Sequence, residues 1–237
     1  MLTVTDLHKS FGSKQVLKGI SFDVADGEIF GFIGHNGAGK TTTIRCAVGI
    51  LEFEQGAITI DGHDIVRDPI ACKRNLAYLP DNPDLYEGLT CIQYLNFVAD
   101  IFGMSSEGRL EKIGTLAREL EIYDSLGDQI RSLSHGMKQK IALISAFMHD
   151  PRLLVLDEPF VGLDPKSTYV LKQKMKQLCA GGSSVFFSSH VLEVVANLCD
   201  HLAILKEGAI IRMGTTGEIV TEGQTLEEVF LGLEGNE

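Results

Sequence analysis

The sequence predicts an α/β fold: a mainly parallel sheet, an antiparallel β subdomain at the N-terminus and an inserted α-helical subdomain. Three observations carry this reading. Short apolar runs, "EIFGFI", "RLLVLDEP" and "SVFFSS", are each followed by a helical run, the alternation of a layered α/β sheet. Near the N-terminus, "LTVTDL" and "ISFDV" alternate apolar and polar residues as half-buried strands do. Between Asp81 and about Asp150 the strand signal stops and helical periodicity takes over.

Taken in order, Asp26-Gly27 is a turn between strands, and "EIFGFI" leads straight into the glycine-rich "GHNGAGK". "TTTIRCAVGIL" follows as a helix and "GAITIDG" as a short strand. After a loop holding Pro80 and Pro83, Thr90 and Gln93 have the spacing of a capping box for the helix "CIQYLNFVADIFG". Two more helical runs lie near 106–120 and 135–149. The α/β pattern resumes with "RLLVLDEP" as a buried strand, a helix over roughly 165–179 and a break at Gly181-Gly182. The strand "SVFFSS", the helix "HVLEVVANL" and a pair of strands in "HLAILKEGAIIRMG" around a Glu-Gly turn follow. "TLEEVFLGL" has capping-box spacing for a short terminal helix. Disorder is the alternative, because the last seventeen residues hold five glutamates and no Lys or Arg. One domain over 1–237 results, with 1–80 and 150–214 as β subdomain and core, 81–149 as the helical subdomain and 215–237 as a short helix or tail.

A formal charge of −11 over 237 residues argues against a general binder of nucleic acid or anionic membrane. The five cysteines form no CxxC pair, which points to reduced thiols and the cytosol. The N-terminus lacks the apolar core of a signal peptide, and no apolar run has the length of a membrane span. Work at a membrane therefore requires another chain to hold this one there.

"GHNGAGKT" fits the spacing of a phosphate-binding loop at Gly34, Gly39, Lys40 and Thr41, between a predicted strand and a predicted helix. Glycine lets the backbone of His35, Asn36, Gly37 and Ala38 curl so that N–H groups converge on phosphate oxygens, with Thr42 continuing into the helix. Lys40 is placed to reach the β- and γ-phosphates, and the Thr41 hydroxyl to ligate Mg²⁺. "LLVLDEP" then delivers Asp157 to a strand end, where it can hold Mg²⁺ through water. Glu158 beside it is placed to polarise or deprotonate an attacking water. Together the two motifs point to ATP with Mg²⁺.

With the helical block between them, these motifs resemble the ATPase subunits of ATP-binding-cassette (ABC) transporters, over essentially the whole chain. The resemblance implies a RecA-like P-loop NTPase core. Phe11, in "KSFGSKQVL", stands where the family places an aromatic that stacks on adenine. His190 in "FFSSH" matches the switch histidine that contacts the γ-phosphate, and Asp164 in "VGLD" matches a loop by which two subunits touch. Leu133-Ser134-His135-Gly136-Met137 stands at the family's Leu-Ser-Gly-Gly-Gln, so Ser134 and Gly136 are expected to face ATP bound by a partner subunit. His135 and Met137 depart from that pattern. Asp81 departs as well: it holds the position of a usual glutamine that touches Mg²⁺ or the attacking water, and a solvated loop Asp is the competing reading.

The resemblance further implies a head-to-tail homodimer, or pseudo-symmetric heterodimer, around two Mg-ATP, with Ser134, His135, Gly136 and Asp164 at the interface. A membrane-spanning subunit is expected to dock near Asp81 to Glu87, with the ATPase at the cytoplasmic face of the membrane and no nucleic-acid partner. "YLPDNPDLYEGLT", "SHGMKQK" and "DEPFVGLDP" look most like the exporter-type branch. An importer subunit, a soluble ribosome- or DNA-associated ABC ATPase and a non-catalytic regulator are the competing classes.

Overall fold

The computed structural model describes residues 1–220 and 223–234; the end of the expected tail, 235–237, lies outside them. The chain runs β1 (Leu2–Phe11), β2 (Lys14–Val24), β3 (Ile29–Ile33), α1 (Lys40–Ala47), β4 (Gln55–Ile60), β5 (His63–Asp64), α2 (Pro69–Arg74) and β6 (Leu76–Leu79). It continues through α3 (Cys91–Ile101), α4 (Ser106–Glu119), α5 (His135–Phe147), β7 (Leu153–Asp157), α6 (Pro165–Ala180) and β8 (Ser184–Ser189). It ends with α7 (Leu192–Leu198), β9 (His201–Lys206), β10 (Ala209–Thr215), α8 (Thr216–Ile219) and α9 (Leu226–Glu234).

Two sheets form. The first is antiparallel, in the order β2-β1-β4-β5. The second has the order β10-β9-β3-β8-β7-β6, parallel except for the β9–β10 hairpin at its edge. Every residue of β3, β7 and β8 is buried, as expected of parallel strands covered on both faces. Phe22, Phe30, Phe32 and Phe186 fill the space between the sheets. The Phe22–Phe32 centroids are 4.7 Å apart, and Phe32 meets Phe186 edge-on at 4.9 Å. On the other face, Leu154, Leu156 and Phe187 share a core with Ile141 and Ile144 of α5 and with the Cys91, Leu95, Ala99 stripe of α3.

Local chemistry sets the element ends. Thr90 and Gln93 make the expected capping box at α3, Ser134 caps α5 and Asp164 caps α6. Thr225 and Glu228 exchange the reciprocal bonds of a capping box at α9, so residues 226–234 are helical and the disorder alternative fails there. Two predicted helices are shorter than expected. α1 stops at Ala47, two residues before Gly49, and α7 starts at Leu192, leaving His190 outside it. The sequence reading assigned no elements to β5, α2 or β6, which are two, six and four residues long. Such short pieces carry too little periodicity to be seen without their sheet partners.

Candidate nucleotide site

α1 begins at the edge of a cleft of about 600 Å³ lined by His35, Asn36, Gly37, Gly39, Lys40, Thr41, Thr42, Asp81 and Glu158. Its N-cap is Gly39, which has no side chain to satisfy the first N–H groups, and no acidic residue lies in the first turn. An eight-residue helix that leaves its N-terminal donors open toward a cleft presents partial positive charge to an anion. Lys40 is 6% exposed and donates to the Gly34 carbonyl at 2.6 Å and to that of His35 at 3.4 Å. Gly34 also lines an adjoining cavity with His35, Asn36, His190, Leu192 and Phe230. Ala38 is buried, and its carbonyl accepts from Gly208 N at 3.0 Å.

β7 ends on Asp157, whose carboxylate accepts from the Ser188 hydroxyl at 2.5 Å. The same Ser188 Oγ accepts from Glu158 N at 3.1 Å, so neighbouring β8 fixes both acids. Glu158 has φ of 49°, an uncommon left-handed conformation for a non-glycine residue. That turn swings its side chain between two bases: Oε1 lies 3.5 Å from Lys40 Nζ and Oε2 lies 2.8 Å from His190 Nδ1. The His190 backbone N–H also donates to Oε2, at 3.2 Å. Lys40 opens α1, Glu158 directly follows β7 and His190 directly follows β8, and Glu158 joins the two bases.

Asp81 lines the same cleft. Burial, followed by the negative charge of Asp157 and Glu158, pushes its carboxyl above the ordinary aspartate value, while His135 and His190 oppose the shift. Asp81 and Glu158 line the cleft beside Thr41 and Thr42, and Asp157 is near enough to act on the charge of Asp81; an oxygen-rich lining of this kind suits a hard divalent cation. Among the described residues, no group of three or more His, Cys, Asp or Glu forms a self-sufficient metal cage. Mg²⁺, which keeps several waters and substrate oxygens, does not require one.

Phe11 does not line the cleft. It sits at the end of the β1–β2 hairpin, 52% exposed, paired in register with Lys14, which does line it. Lys14, Gln15, Val16, Lys18 and Glu207 complete the wall. Sequence reasoning missed all five, and no spacing signal could have supplied them, because Lys14 to Lys18 reach the cleft from the other sheet and Glu207 from the distant β9–β10 turn.

Ser134, His135, Gly136 and Asp164 do not line the cleft, and each is held by neighbours within its own chain. Ser134 Oγ accepts from Met137 N at 3.3 Å. A Cβ on Gly136 would stand 2.7 Å from the Gly162 carbonyl, and one on Gly162 would stand 3.0 Å from His135 Cδ2. Glycine at 136 is therefore demanded by the neighbouring loop. Asp164 accepts from Ser167 N at 2.8 Å and pairs with Lys140 at 2.7 Å, which holds its carboxyl far below the usual range. On the other side of α5, Lys138 pairs with Glu87 at 2.6 Å.

Residues 17–161 match the family model described as ABC transporter. The chain is 36% identical over 219 residues to the ABC-type transporter ATP-binding protein EcsA of Bacillus subtilis, covering 92% of this chain and 89% of that one. It is 35% identical to the linearmycin resistance ATP-binding protein LnrL of the same organism, covering 92% of this chain and 70% of that one. A solved ATP-binding subunit of an ABC transporter superposes with a TM-score of 0.94 at 35% identity, covering 99% of both chains. A dimeric ATP-binding cassette bound to ADP and Pi shares the fold, with a TM-score of 0.83 at 20% identity, over 91% of this chain and 99% of that one. The uncapped N-terminus of α1 and the acids at the end of β7 thus occur in a chain matched nearly end to end by these relatives, and it belongs to the ATP-binding proteins of ABC transporters and is an ATPase.

Proposed function

We propose that this chain is the ATP-hydrolysing subunit of an exporter-type ABC transporter. It works as a head-to-tail homodimer or pseudo-symmetric heterodimer around two Mg-ATP and drives a separate membrane-spanning subunit from the cytoplasmic face. The observation that carries this reading is that Lys40 and Glu158 line one cleft, with His190 paired to Glu158 from the adjoining cavity, whereas Ser134 and Gly136 at the start of α5 do not line it. A second subunit supplies the missing wall, and two-fold symmetry makes both sites from one chain type.

In this reading the open N–H groups of α1 and the Lys40 ammonium bind the phosphates, giving up the loop carbonyls that Lys40 now holds. Phe11 stacks on the base. Thr41, Asp157 and Asp81 would hold Mg²⁺, which would supply positive charge to the phosphates. Glu158 accepts the proton of the attacking water, oriented by its bond to His190, which also contacts the γ-phosphate. Loss of the γ-phosphate removes contacts made by both subunits and lets the dimer open.

Two relatives named for linearmycin resistance and for Nod factor export, the latter from Rhizobium sp., support export as the direction. For the membrane partner, Tyr86, Glu87, Gly88, Leu89 and Phe97 line an apolar depression of about 640 Å³, with the Tyr86 and Phe97 rings exposed and edge-to-face at 5.5 Å. No helix among the described residues is long and apolar enough to cross a membrane. The charge of −11 supports the absence of a nucleic-acid partner.

Glu158→Gln tests the core of this reading. ATPase turnover is expected to fall by about 100-fold or more, in line with removal of a general base, and ATP should shift the variant to dimer in size-exclusion chromatography. A monomer at saturating Mg-ATP would sink the dimer.

A further inference from the structure

Phe11 is an exposed ring on a strand end, yet it is not left to swing. Lys9 Nζ lies over the ring, 5.3 Å from its centroid, and the Lys9 side chain is itself only 12% exposed. The ammonium is anchored in turn, because Glu54 Oε1 holds it at 2.7 Å. Glu54 is fixed by backbone: its Oε2 accepts from Ser10 N at 2.8 Å, and its own N–H donates to the His8 carbonyl at 3.2 Å. It directly precedes β4, which pairs with β1. The chain of contacts thus runs from the sheet backbone through Glu54 and Lys9 to one surface of the ring, and the rest of the ring stays open.

We infer that Lys9 and Glu54 are positioning residues for nucleotide-base binding: they hold the Phe11 ring from behind so that its free surface is set for stacking. The inference rests on the reading of Phe11 as the base platform. A cation against one face of an aromatic ring is attractive in its own right. A ring already immobilised also loses less conformational freedom when the base arrives. Burial pushes the thiol of Cys46, near the end of α1, up to about 11, with Lys9 opposing the shift and Glu54 adding to it.

The test separates base from phosphate. Lys9→Met is expected to raise KM for ATP about two- to fivefold, the range of an exposed cation–π contact, with kcat unchanged. Glu54→Gln should act in the same direction, and Lys9→Arg should restore the wild-type KM. Inhibition by inorganic tripolyphosphate, which has no base, should be unaltered in all three. Adding Lys9→Met to Phe11→Ala should produce no further loss. If Lys9→Met weakens tripolyphosphate as much as ATP, the lysine acts by charge or fold and the inference fails. If Phe11→Ala weakens ATP while Lys9→Met does not, the inference fails and the base platform stands. If Phe11→Ala leaves ATP affinity unchanged, both fall.

Discussion

Asp81 shows how one methylene and one charge alter a familiar position. Its carboxyl titrates above the ordinary aspartate value because it is partly buried and then because Asp157 and Glu158 are negative. The folded chain therefore binds that proton more tightly than the unfolded chain does. Asp81 contributes stability while protonated, at acid pH, and that contribution is lost as pH rises through the raised value. At pH 7, in the absence of nucleotide and Mg²⁺, the ionised group works against the fold. Asp81→Asn is expected to raise Tm by about 1–2 °C at pH 7, a small effect because the group is largely solvated. The gain should vanish below about pH 4, near the ordinary aspartate value, and shrink at pH 7 when Mg-ATP is added; scanning calorimetry at both pH values measures it. An equal gain at both would show that Asp157 and Glu158 are not the cause. Single residues of this kind were legible as departures from a pattern. What surrounds them was not: His135 was visible as an oddity in the helix start, but its place against Gly162 depends on a loop twenty-seven residues away.

The β9–β10 turn has more to do than reverse the chain. Gly208 donates to the Ala38 carbonyl and accepts from Lys18 N at 2.8 Å, joining the edge hairpin to the phosphate loop and to β2. Its φ of +81° suits glycine, and a Cβ there would stand 2.0 Å from the Val16 carbonyl. Gly208→Ala is expected to cost on the order of 3 kcal/mol, because both the backbone angle and the contact resist it. That corresponds to a fall in Tm of roughly 6–12 °C for a chain of this size, accompanied by weaker ATP binding. A variant with wild-type melting and affinity would mean that the turn moves aside freely. The turn itself was plain in the sequence as Glu-Gly between apolar runs, as were the caps at Thr90, Ser134 and Thr225; that Asp164 caps α6 was not. Such signals are contained within a few residues. The union of this turn with residues 18 and 38 is a tertiary fact, and nothing local announces it.

For the assembled protein, the separation of Lys40 from Ser134 gives a complementation experiment. Subunits carrying Lys40→Ala and subunits carrying Ser134→Arg are each expected to be inactive as homodimers. Mixed before ATP is added, they should recover about a quarter of wild-type ATPase activity, since half the dimers are mixed and each holds one intact site. No recovery at any mixing ratio would contradict sites shared between subunits. At this scale the succession of the longer strands and helices was largely readable, because those runs are long enough to declare themselves, whereas β5, α2 and β6 are not. The wall formed by Lys14, Gln15, Lys18 and Glu207 was not, because it is assembled from ends of the chain that meet only on folding. The stitch at Gly208 also sets a timetable for synthesis. The phosphate loop is complete once residue 40 has been made, but one of its carbonyls waits for a partner 170 residues later. At the usual pace of translation that delay is roughly 10–30 s. Through that interval the Ala38 carbonyl is without the Gly208 N–H that braces it in the finished fold, so the loop that follows β3 takes its final support only when the last strands arrive.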